Sequence, residues 1–250
     1  GIPDYRDANG DWKRAAPVTY QAFMGSEATR KRYWARSLIG WRVIGQAHPG
    51  PAHHALARLE AAGHVRLLLT QNVDGLHDAA GSRNIIDLHG RIDTVCCTAG
   101  GVRSPRTALQ AGLLARNPEW AQLAARSAPD GDADLDGRDF SSFDIPACER
   151  CGGLLKPDVV FFGESVPAAR VADARAALQD CDAMLVAGSS LMVYSGFRFV
   201  QAAAAAGLPV AAVNLGRTRA DDLLALKIEQ PVGEALSALA DALASSARVA

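Results

Sequence analysis

The sequence predicts an α/β protein built on a doubly wound parallel sheet, with smaller modules attached to it. After residue 63, short and largely apolar runs alternate with alanine-rich helical stretches, as is typical of strands buried on both faces. Polar, glycine-containing clusters follow several of these runs, where doubly wound sheets bind their ligands. Residues 91–156 interrupt the alternation and hold four of the five cysteines, which indicates an inserted module.

The composition is that of a folded chain with a substantial core. Of 250 residues, 49% are hydrophobic and 21% are charged, which excludes a disordered chain. The 26 basic and 27 acidic residues nearly cancel, so we expect neither nucleic acid nor a membrane surface as a partner. The longest apolar run, 199–213, is interrupted and too short to cross a bilayer. Five cysteines suit a metal site in a reducing compartment, and we expect a cytoplasmic location.

The chain before the sheet is predicted to be helical. Residues 17–46 carry aromatic and leucine side chains at roughly helical spacing. Pro51 suits the first position of a second helix, which runs to about Ala62. Three later helices are expected from alanine-rich segments, namely 167–179, 195–206 and 231–246.

Five short apolar runs are predicted to form the strands of the parallel sheet. Their length and composition fit strands covered on both faces, with connecting helices between them. The runs are Val65–Leu69, Ile85–Leu88, Val159–Phe162, Ala183–Val186 and Val210–Leu215.

Polar clusters that follow four of these strands indicate a crevice for a nucleotide. Glycine and small hydroxyl residues let backbone N–H groups approach a phosphate, and Asn and Asp can bind ribose hydroxyls or an amide. Each cluster alone could be an ordinary turn, but four at strand ends favour a ligand site. The sequence lacks a complete G-x-G-x-x-G, the usual dehydrogenase fingerprint. The clusters are Thr70–Gly75, Leu88–Gly90, Gly188–Leu191 and Asn214–Gly216.

His89 is the candidate general base. It follows an apolar strand and precedes a glycine, and an imidazole with a near-neutral pKa can take a proton from a hydroxyl. A histidine hydrogen-bonded within the core is the alternative. The other five histidines lie in predicted helices or loops and carry no spacing signal.

The cysteines indicate a zinc site with an incomplete ligand set. Cys148 and Cys151 form a C-x-x-C pair followed by glycines, the shape of half a zinc knuckle. Cys97 should begin the other half, but Gly100 stands where its partner is expected. The adjacent Cys96 is a possible fourth ligand, although neighbouring residues seldom bind one ion. Reduced, buried cysteines without a metal are the alternative. A redox C-x-x-C is disfavoured, because it would normally open a helix after a strand.

Six strings of the sequence form one joint pattern: Gly1–Asp7, Thr70–Asp74, Leu88–Gly90, Lys156–Glu164, Gly188–Leu191 and Asn214–Gly216. Together they resemble the sirtuin family of NAD-dependent protein deacylases, over essentially the whole chain. Finer features are similar to the class II branch, which contains the mitochondrial lipoamidase and ADP-ribosyltransferase sirtuin. These features are Arg32–Arg36, Ala128–Asp132 and Val193–Phe199.

The resemblance implies a Rossmann-like NAD-binding fold, a bound zinc ion, and acyl-lysine proteins or peptides as substrates. In the implied reaction the acyl oxygen attacks the ribose of NAD as nicotinamide leaves. His89 would deprotonate a ribose hydroxyl, and Asn72 and Asp74 would complete the catalytic set. The implied zinc ligands are Cys97, Cys148 and Cys151, with Cys96 as the possible fourth.

Further binding residues follow from the resemblance alone. Those implied to contact NAD are Ile2, Pro3, Asp4, Tyr5, Arg6, Gln71, Asn72, Asp74, Gly188, Ser189, Ser190, Asn214, Leu215, Gly216 and Val232. Those implied to contact the substrate are Tyr33, Arg36, Val160, Phe161, Phe162, Gly163, Glu164 and Val193. Residues 160–163 would pair with the substrate peptide as an added strand.

Tyr33 and Arg36 suggest a choice of acyl group. They stand three residues apart and so share a helix face, and arginine binds carboxylates well. Because family members that remove acidic acyl groups use a Tyr-x-x-Arg pair, Arg36 is expected to recognise an acidic, glutaryl-type chain. Packing of the small helical module is the alternative role of the pair.

The sequence departs from the family pattern in two places. Gly100 replaces the second cysteine of the first zinc pair, which weakens zinc binding or leaves it to another group. A strand and a Gly-Ala-Gly loop precede the Gly-Ile-Pro-Asp string in the family, and neither stands before Gly1. We expect that the protein begins further upstream.

The predicted organisation is a single catalytic domain over 1–250. It comprises a helical module over 8–55, a zinc-binding module over 91–156, and a Rossmann-like core from 56–90 and 157–250. No oligomeric state follows from the sequence, and a monomer is the default expectation.

The predicted function is NAD-dependent removal of acyl groups from protein lysine. Protein mono-ADP-ribosylation or NAD hydrolysis uses the same ribosyl chemistry and is the first alternative. A non-catalytic module that binds NAD or acyl-lysine is the second. His89 weighs against the second alternative, because a binding module needs no base.

Overall fold

Two groups of parallel strands form the α/β part of the protein. The computed structural model describes residues 17–123, 135 and 137–246. Its strands are β1 (Leu68–Thr70), β2 (Ile85–Asp87), β3 (Gly90–Cys97), β4 (Arg103–Pro105), β5 (Leu155–Val159), β6 (Met184–Ala187), β7 (Val210–Val213) and β8 (Leu226–Ile228). Its helices are α1 (Tyr20–Gly25), α2 (Glu27–Ile44), α3 (Pro51–Ala61), α4 (Leu76–Ala79), α5 (Arg106–Arg116), α6 (Pro118–Ala121), α7 (Ala168–Gln179), α8 (Tyr194–Ala205) and α9 (Val232–Ser246).

The parallel α/β architecture predicted from the sequence is confirmed. Strand β1 pairs with β2, and β6, β7 and β8 form a second parallel group in that order. Helix α8 packs Val200 and Ala203 against Val186 and Val210 of the second group. Helices α3 and α9 pack on each other through a small apolar cluster. Helix packing therefore covers Val186 of β6 and most of β7, whereas Leu185 of β6 and Leu226 of β8 stay exposed.

The helices lie close to their predicted positions, with one division. The predicted helix over 17–46 is two helices, because the chain becomes extended at Ser26 and the Ser26 hydroxyl then caps α2 by accepting from the N–H of Thr29 at 3.2 Å. Pro51 occupies the first turn of α3, as predicted. No helix within the described ranges is long and apolar enough to cross a membrane.

The predicted strand Val159–Phe162 is wrong. The strand there is β5, which ends at Val159 and pairs antiparallel with β3 in a separate sheet of order β4-β3-β5. The Phe161 side chain is buried against the rings of Phe23 and Tyr33. The run 159–162 is apolar because this segment packs under an aromatic cluster. A short apolar run can therefore arise without a strand.

One apolar cluster joins the helical segment to the inserted segment. Trp34 and Leu38 of α2 pack with Val95 of β3, Leu113 of α5 and Phe143. The two predicted modules therefore share buried side chains, while α3 packs with α9 of the core. The boundaries of the modules stay a prediction.

Candidate active site

A cavity of about 1150 Å3 opens at the ends of the parallel strands. Its walls come from the loops that follow β1, β2 and β6, together with the segment after β5. This is the edge at which parallel α/β sheets bind ligands. The volume exceeds that of an ordinary small-molecule pocket, so a dinucleotide and part of a second substrate have room.

The cavity brings together most of the predicted site residues. Those on its walls are Tyr33, Gln71, Asn72, Asp74, His89, Val160, Phe161, Phe162, Gly163, Glu164, Gly188, Ser189, Ser190 and Val193. Within the described part of the chain, the predicted residues that do not line it are the four cysteines of the predicted metal site and Arg36, Asn214, Leu215, Gly216 and Val232. The predicted contacts Ile2, Pro3, Asp4, Tyr5 and Arg6, and most of the loop 128–139, lie outside the described residues.

His89 is held at the floor of this cavity by both ring nitrogens. It follows β2, and its Nδ1 lies 3.0 Å from the backbone oxygen of Gln71. Because a carbonyl only accepts, Nδ1 carries the hydrogen, and Nε2 has the free electron pair. The Nε2 atom lies 2.7 Å from the Ser195 hydroxyl, which donates to it. The ring therefore presents a base to the cavity.

The surroundings keep His89 neutral. Burial lowers the pKa of His89, and the positive charges of Arg170 and Arg198 lower it further, against a raising contribution from the hydrogen bond to Gln71. A general base must be unprotonated to act. The arrangement thus favours the catalytically useful form at neutral pH.

The lowered pKa predicts where activity fails in acid. Well above pH 6.5, the ordinary value, His89 is neutral and kcat/KM should be constant on the acid side. As the pH falls through the lowered pKa, the base becomes protonated and kcat/KM should fall about tenfold per pH unit. A pH profile of kcat/KM with a fixed acyl-lysine peptide measures this. An acid limb centred above pH 7 would contradict the assignment.

Ser195 is a site residue that the sequence reasoning missed. It lies in the first turn of α8, 106 residues from His89, and no local motif links the two. At the adjacent Gly196, a Cβ would lie 2.5 Å from the end of the Gln71 side chain, which would have to shift. The Ser195 contact thus brings the start of α8 close to the base.

Removing the Ser195 hydroxyl should change the titration of the base. In Ser195→Ala, neutral His89 loses a donor worth about 0.5–1.5 kcal/mol, so its pKa should rise and the acid limb of kcat/KM should move to higher pH by up to about one unit. The pH profile of kcat/KM measures this shift. Ser245→Ala, which removes a hydroxyl from α9, is the control and should match the wild type. A lower rate with an unshifted acid limb would mean that Ser195 has only a packing role.

The loop after β1 is shaped by its own polar side chains. Thr70 accepts from the N–H of Asn72 at 3.1 Å, and Asp74 accepts from the N–H of Leu76 at 2.9 Å, at the start of α4. Gly75 has φ +73 and would carry a Cβ 2.5 Å from the Arg91 side chain. Asp74 therefore has a structural hydrogen bond in addition to its place on the cavity wall.

The loop after β6 is linked to the loop after β1. Ser189 donates to the Gln71 side chain at 3.3 Å and accepts from the N–H of Leu191 at 3.2 Å. Leu191 has φ +57, the single non-glycine residue with positive φ in the described ranges. Such a conformation costs about 1–3 kcal/mol and persists where the surroundings impose it, often at a binding site.

Asn214, Leu215, Gly216 and Val232 lie beside the cavity and not on its wall. Asn214 is buried and donates to the carbonyls of Leu215 at 2.9 Å and Gly216 at 3.4 Å, which fixes the turn after β7. The Val232 side chain faces Gly188, where a Cβ would lie 3.5 Å away. Val232 thus packs against the loop after β6, and the predicted contact of all four residues with NAD stays a prediction.

The segment after β5 uses several of its backbone groups within the protein. The N–H of Val160 donates to the His89 carbonyl at 2.8 Å, and the N–H of Phe161 donates to the Glu164 carboxylate at 2.9 Å. The Phe162 carbonyl accepts from the N–H of Tyr20 at 2.8 Å. An edge that is fully open to an added strand is therefore not present over 160–163. Peptide binding there stays a prediction.

A buried ion pair stabilises this segment. Lys156 is only 5% exposed, and its Nζ lies 3.1 Å from Glu164 and 4.6 Å from the centre of the Phe161 ring. It also donates to the carbonyl of Val159. A buried charge requires such partners. Glu164, predicted to contact substrate, thus also holds the backbone of the cavity wall.

Tyr33 and Arg36 differ in their position relative to the cavity. Tyr33 is buried and lines the cavity, in edge contact with Phe23 and Trp34. Arg36, nearly one turn along α2, is not part of the cavity wall within the described ranges. The pair as a carboxylate site stays a prediction.

Three of the four candidate metal ligands converge. The sulfurs of Cys97, Cys148 and Cys151 all lie within 4.8 Å of one another, and the Cys97 and Cys151 sulfurs are 3.4 Å apart. Sulfurs bound tetrahedrally to zinc at about 2.3 Å are about 3.8 Å apart, so the three thiols fit zinc. Gly153 permits this approach, because a Cβ there would lie 2.9 Å from the Cys97 sulfur.

Cys96 is wrong as the fourth ligand. Successive side chains of a strand point to opposite faces, and Cys96 precedes Cys97 in β3. Its sulfur lies 4.0 Å from the carbonyl of Pro157 and does not belong to the group of three. This alternation is the reason why neighbouring residues of a strand seldom bind the same ion.

A crevice at the strand ends of a parallel sheet, with a neutral base on its floor, defines an α/β enzyme that uses a nucleotide. Comparison with protein families is more specific. The model of the Sir2 family matches residues 1–195, and the chain belongs to the Sir2 family.

Related proteins agree with this assignment. An NAD-dependent protein deacetylase of Bordetella bronchiseptica is 63% identical over 237 residues, which are 95% of this chain and 86% of the relative. NAD-dependent protein deacetylase 2 of Bradyrhizobium diazoefficiens is 65% identical over 239 residues, 96% of this chain and 88% of the relative. A solved Sir2 complex with a p53 peptide and NAD+ has a TM-score of 0.74 at 26% identity, covering 100% of this chain and 88% of that one.

Proposed function

We propose that this chain removes acyl groups from lysine side chains of proteins, in a reaction that consumes NAD and releases nicotinamide. The observation that carries the proposal is the geometry of His89, whose Nε2 faces the cavity as a base while Nδ1 is bonded to the Gln71 carbonyl. The relatives at 63% and 65% identity, which are named NAD-dependent protein deacetylases, support it.

The cavity divides into parts with different chemistry. Gly188, Ser189 and Ser190 lie at the end of β6, where backbone N–H groups and hydroxyls suit a phosphate and a ribose. Asn72 and Asp74 lie after β1 and would bind the nicotinamide end of the dinucleotide. NAD supplies the ADP-ribosyl group that receives the acyl group.

His89 moves the proton in this reaction. Its Nε2 takes the hydrogen of a ribose hydroxyl, and the Gln71 carbonyl keeps the ring in the tautomer that can do so. The Ser195 hydroxyl holds Nε2 until the ribose hydroxyl replaces it. Burial and the nearby Arg170 and Arg198 disfavour early protonation of the ring.

The acyl-lysine enters between the segment after β5 and α2. Val160, Phe162 and Val193 line this side of the cavity, and Tyr33 closes it. We infer an acetyl or similarly short acyl group, because Tyr33 is buried among aromatic rings and Arg36 does not reach the wall within the described ranges. An acidic acyl group is the competing substrate, because several sequence strings are similar to the class II branch.

Zinc is the proposed structural metal, held by Cys97, Cys148 and Cys151. When bound, it would tie the end of β3 to the turn before β5. We further propose a cytoplasmic location, which the few cysteines in the composition support, and a monomer as the default state.

Nicotinamide release with a panel of lysine peptides tests the proposal. Acetyl, glutaryl and unmodified peptides of one sequence are compared, with NAD in excess. We expect release that depends on the acetyl peptide. Release without peptide would favour NAD hydrolysis or ADP-ribosylation, and preference for the glutaryl peptide would restore the role of Arg36. Binding of NAD without any release would favour a non-catalytic module.

A further inference from the structure

The metal cluster is built from two turns of the same backbone geometry, residues 97–102 and residues 148–153. In both, the N–H of the fifth residue donates to the carbonyl of the first, at 2.9 Å in the first turn and 2.7 Å in the second. In both, the N–H of the first residue donates to the carbonyl of the sixth, at 2.9 Å. The fifth residues, Gly101 and Gly152, have φ +64 and +69. The turns therefore direct corresponding positions toward the same point.

The turns differ at the fourth residue, which is Cys151 in the second and Gly100 in the first. The N–H of Gly100 lies 3.5 Å from the Cys97 sulfur, so the backbone is already in the arrangement of a zinc knuckle. A Cβ at Gly100 would lie 3.8 Å from the Cys151 sulfur, an ordinary van der Waals distance. The first turn thus places its fourth position at the cluster and supplies no sulfur there.

The side of the cluster at Gly100 is open to solvent. Cys97 and Cys148 are buried, whereas Cys151 and Gly100 are exposed. Within the described ranges, no fourth Cys, His, Asp or Glu joins the three cysteines. A tetrahedral ion bound by these three cysteines has a fourth coordination position. Among the described residues none fills it, so a molecule from solution would bind there.

We propose that this cluster is a three-thiolate metal centre whose fourth position, beside Gly100, binds small thiols from solution. Zinc and cobalt accept thiolate ligands readily. The incoming thiol binds as a thiolate, displaces water and releases its proton to solvent. The proposal rests on the two turns and is independent of the proposed deacylase activity.

Cobalt substitution of the full chain tests the proposal by absorption. The wild-type chain is loaded with one Co2+ and titrated with 2-mercaptoethanol, and bound cobalt is measured before and after. The sulfur-to-cobalt band should grow by about one third as three thiolates become four. In Gly100→Cys the band should have the higher intensity before thiol is added, and added thiol should not change it. Gly100→Ala, which adds the Cβ without a donor, should respond like the wild type.

Zinc affinity gives a second readout. By competition with a chelator, Gly100→Cys should lower the Kd for zinc about tenfold or more, and Gly100→Ala should leave it unchanged. A wild-type band unaffected by thiol, or failure of the wild type to bind cobalt, would overturn the proposal. A Gly100→Cys chain that still responds to thiol would do the same. If Gly100→Cys does not fold, the thiol response of the wild type and Gly100→Ala still decides.

Discussion

Replacing His89 with alanine should lower kcat/KM for an acyl-lysine peptide by at least about 100-fold. A positioned general base contributes about 10²–10⁴-fold, and no other described side chain is held at this point by both the Gln71 carbonyl and the Ser195 hydroxyl. NAD binding should change much less, because the loops after β1 and β6 remain. Steady-state kinetics with a fixed peptide, together with NAD binding by calorimetry, measure the two effects separately.

His54→Ala is the matched control for this variant. His54 lies in α3 with an exposed side chain, so the same truncation there should leave kcat/KM within about twofold of the wild type. Thermal unfolding of both variants shows whether either is destabilised. A loss of less than about tenfold in folded His89→Ala would remove this residue from the role of base.

Replacing Gly90 with alanine should destabilise the fold by about 4 kcal/mol. Gly90 has φ +81, which costs an alanine about 1–2 kcal/mol. Its Cβ would also lie 1.9 Å from the backbone oxygen of Asp158 in β5, and that atom cannot move without disturbing the β3–β5 pairing. Since overpacking costs about 1–3 kcal/mol and Gly90 adjoins His89, most activity should also be lost.

Gly63→Ala is the control that separates the cost of the clash with Asp158 from the cost of the positive φ. Gly63 has φ +82, almost the same value, but a Cβ there would meet no atom within 4 Å. It should therefore cost only about 1–2 kcal/mol. Urea unfolding of the two variants with zinc present measures the difference. Equal losses would mean that the contact between Gly90 and Asp158 is unimportant.

The strand ends could be predicted because the sequence there follows simple physical rules. Short apolar strands followed by Gly, Ser, Asn or Asp locate a ligand edge, and His89 stood at one such end. The C-x-x-C spacing of Cys148 and Cys151 likewise predicts half of a metal site, since side-chain reach within such a turn is fixed locally, and Cys97 joins it from a distant part of the chain. Local patterns thus located the cavity and half of the metal cluster.

The errors arise where a side chain depends on distant neighbours. The run through Phe161 is apolar because it lies under an aromatic cluster, and periodicity cannot distinguish this from a strand. The contact between Ser195 and His89 joins residues 106 positions apart, so no local pattern predicts it. Cys96 was assigned by proximity in sequence, whereas the alternation of β3 directs it away from the metal cluster.

The most direct test is mass spectrometry of the nucleotide product formed from NAD and an acetyl-lysine peptide. If the chain transfers the acyl group to ADP-ribose, wild type should yield acetyl-ADP-ribose, nicotinamide and deacetylated peptide in equal amounts, and His89→Ala should yield almost none. Formation of free ADP-ribose with the peptide still acetylated would instead establish NAD hydrolysis, and the proposed acyl transfer would be wrong.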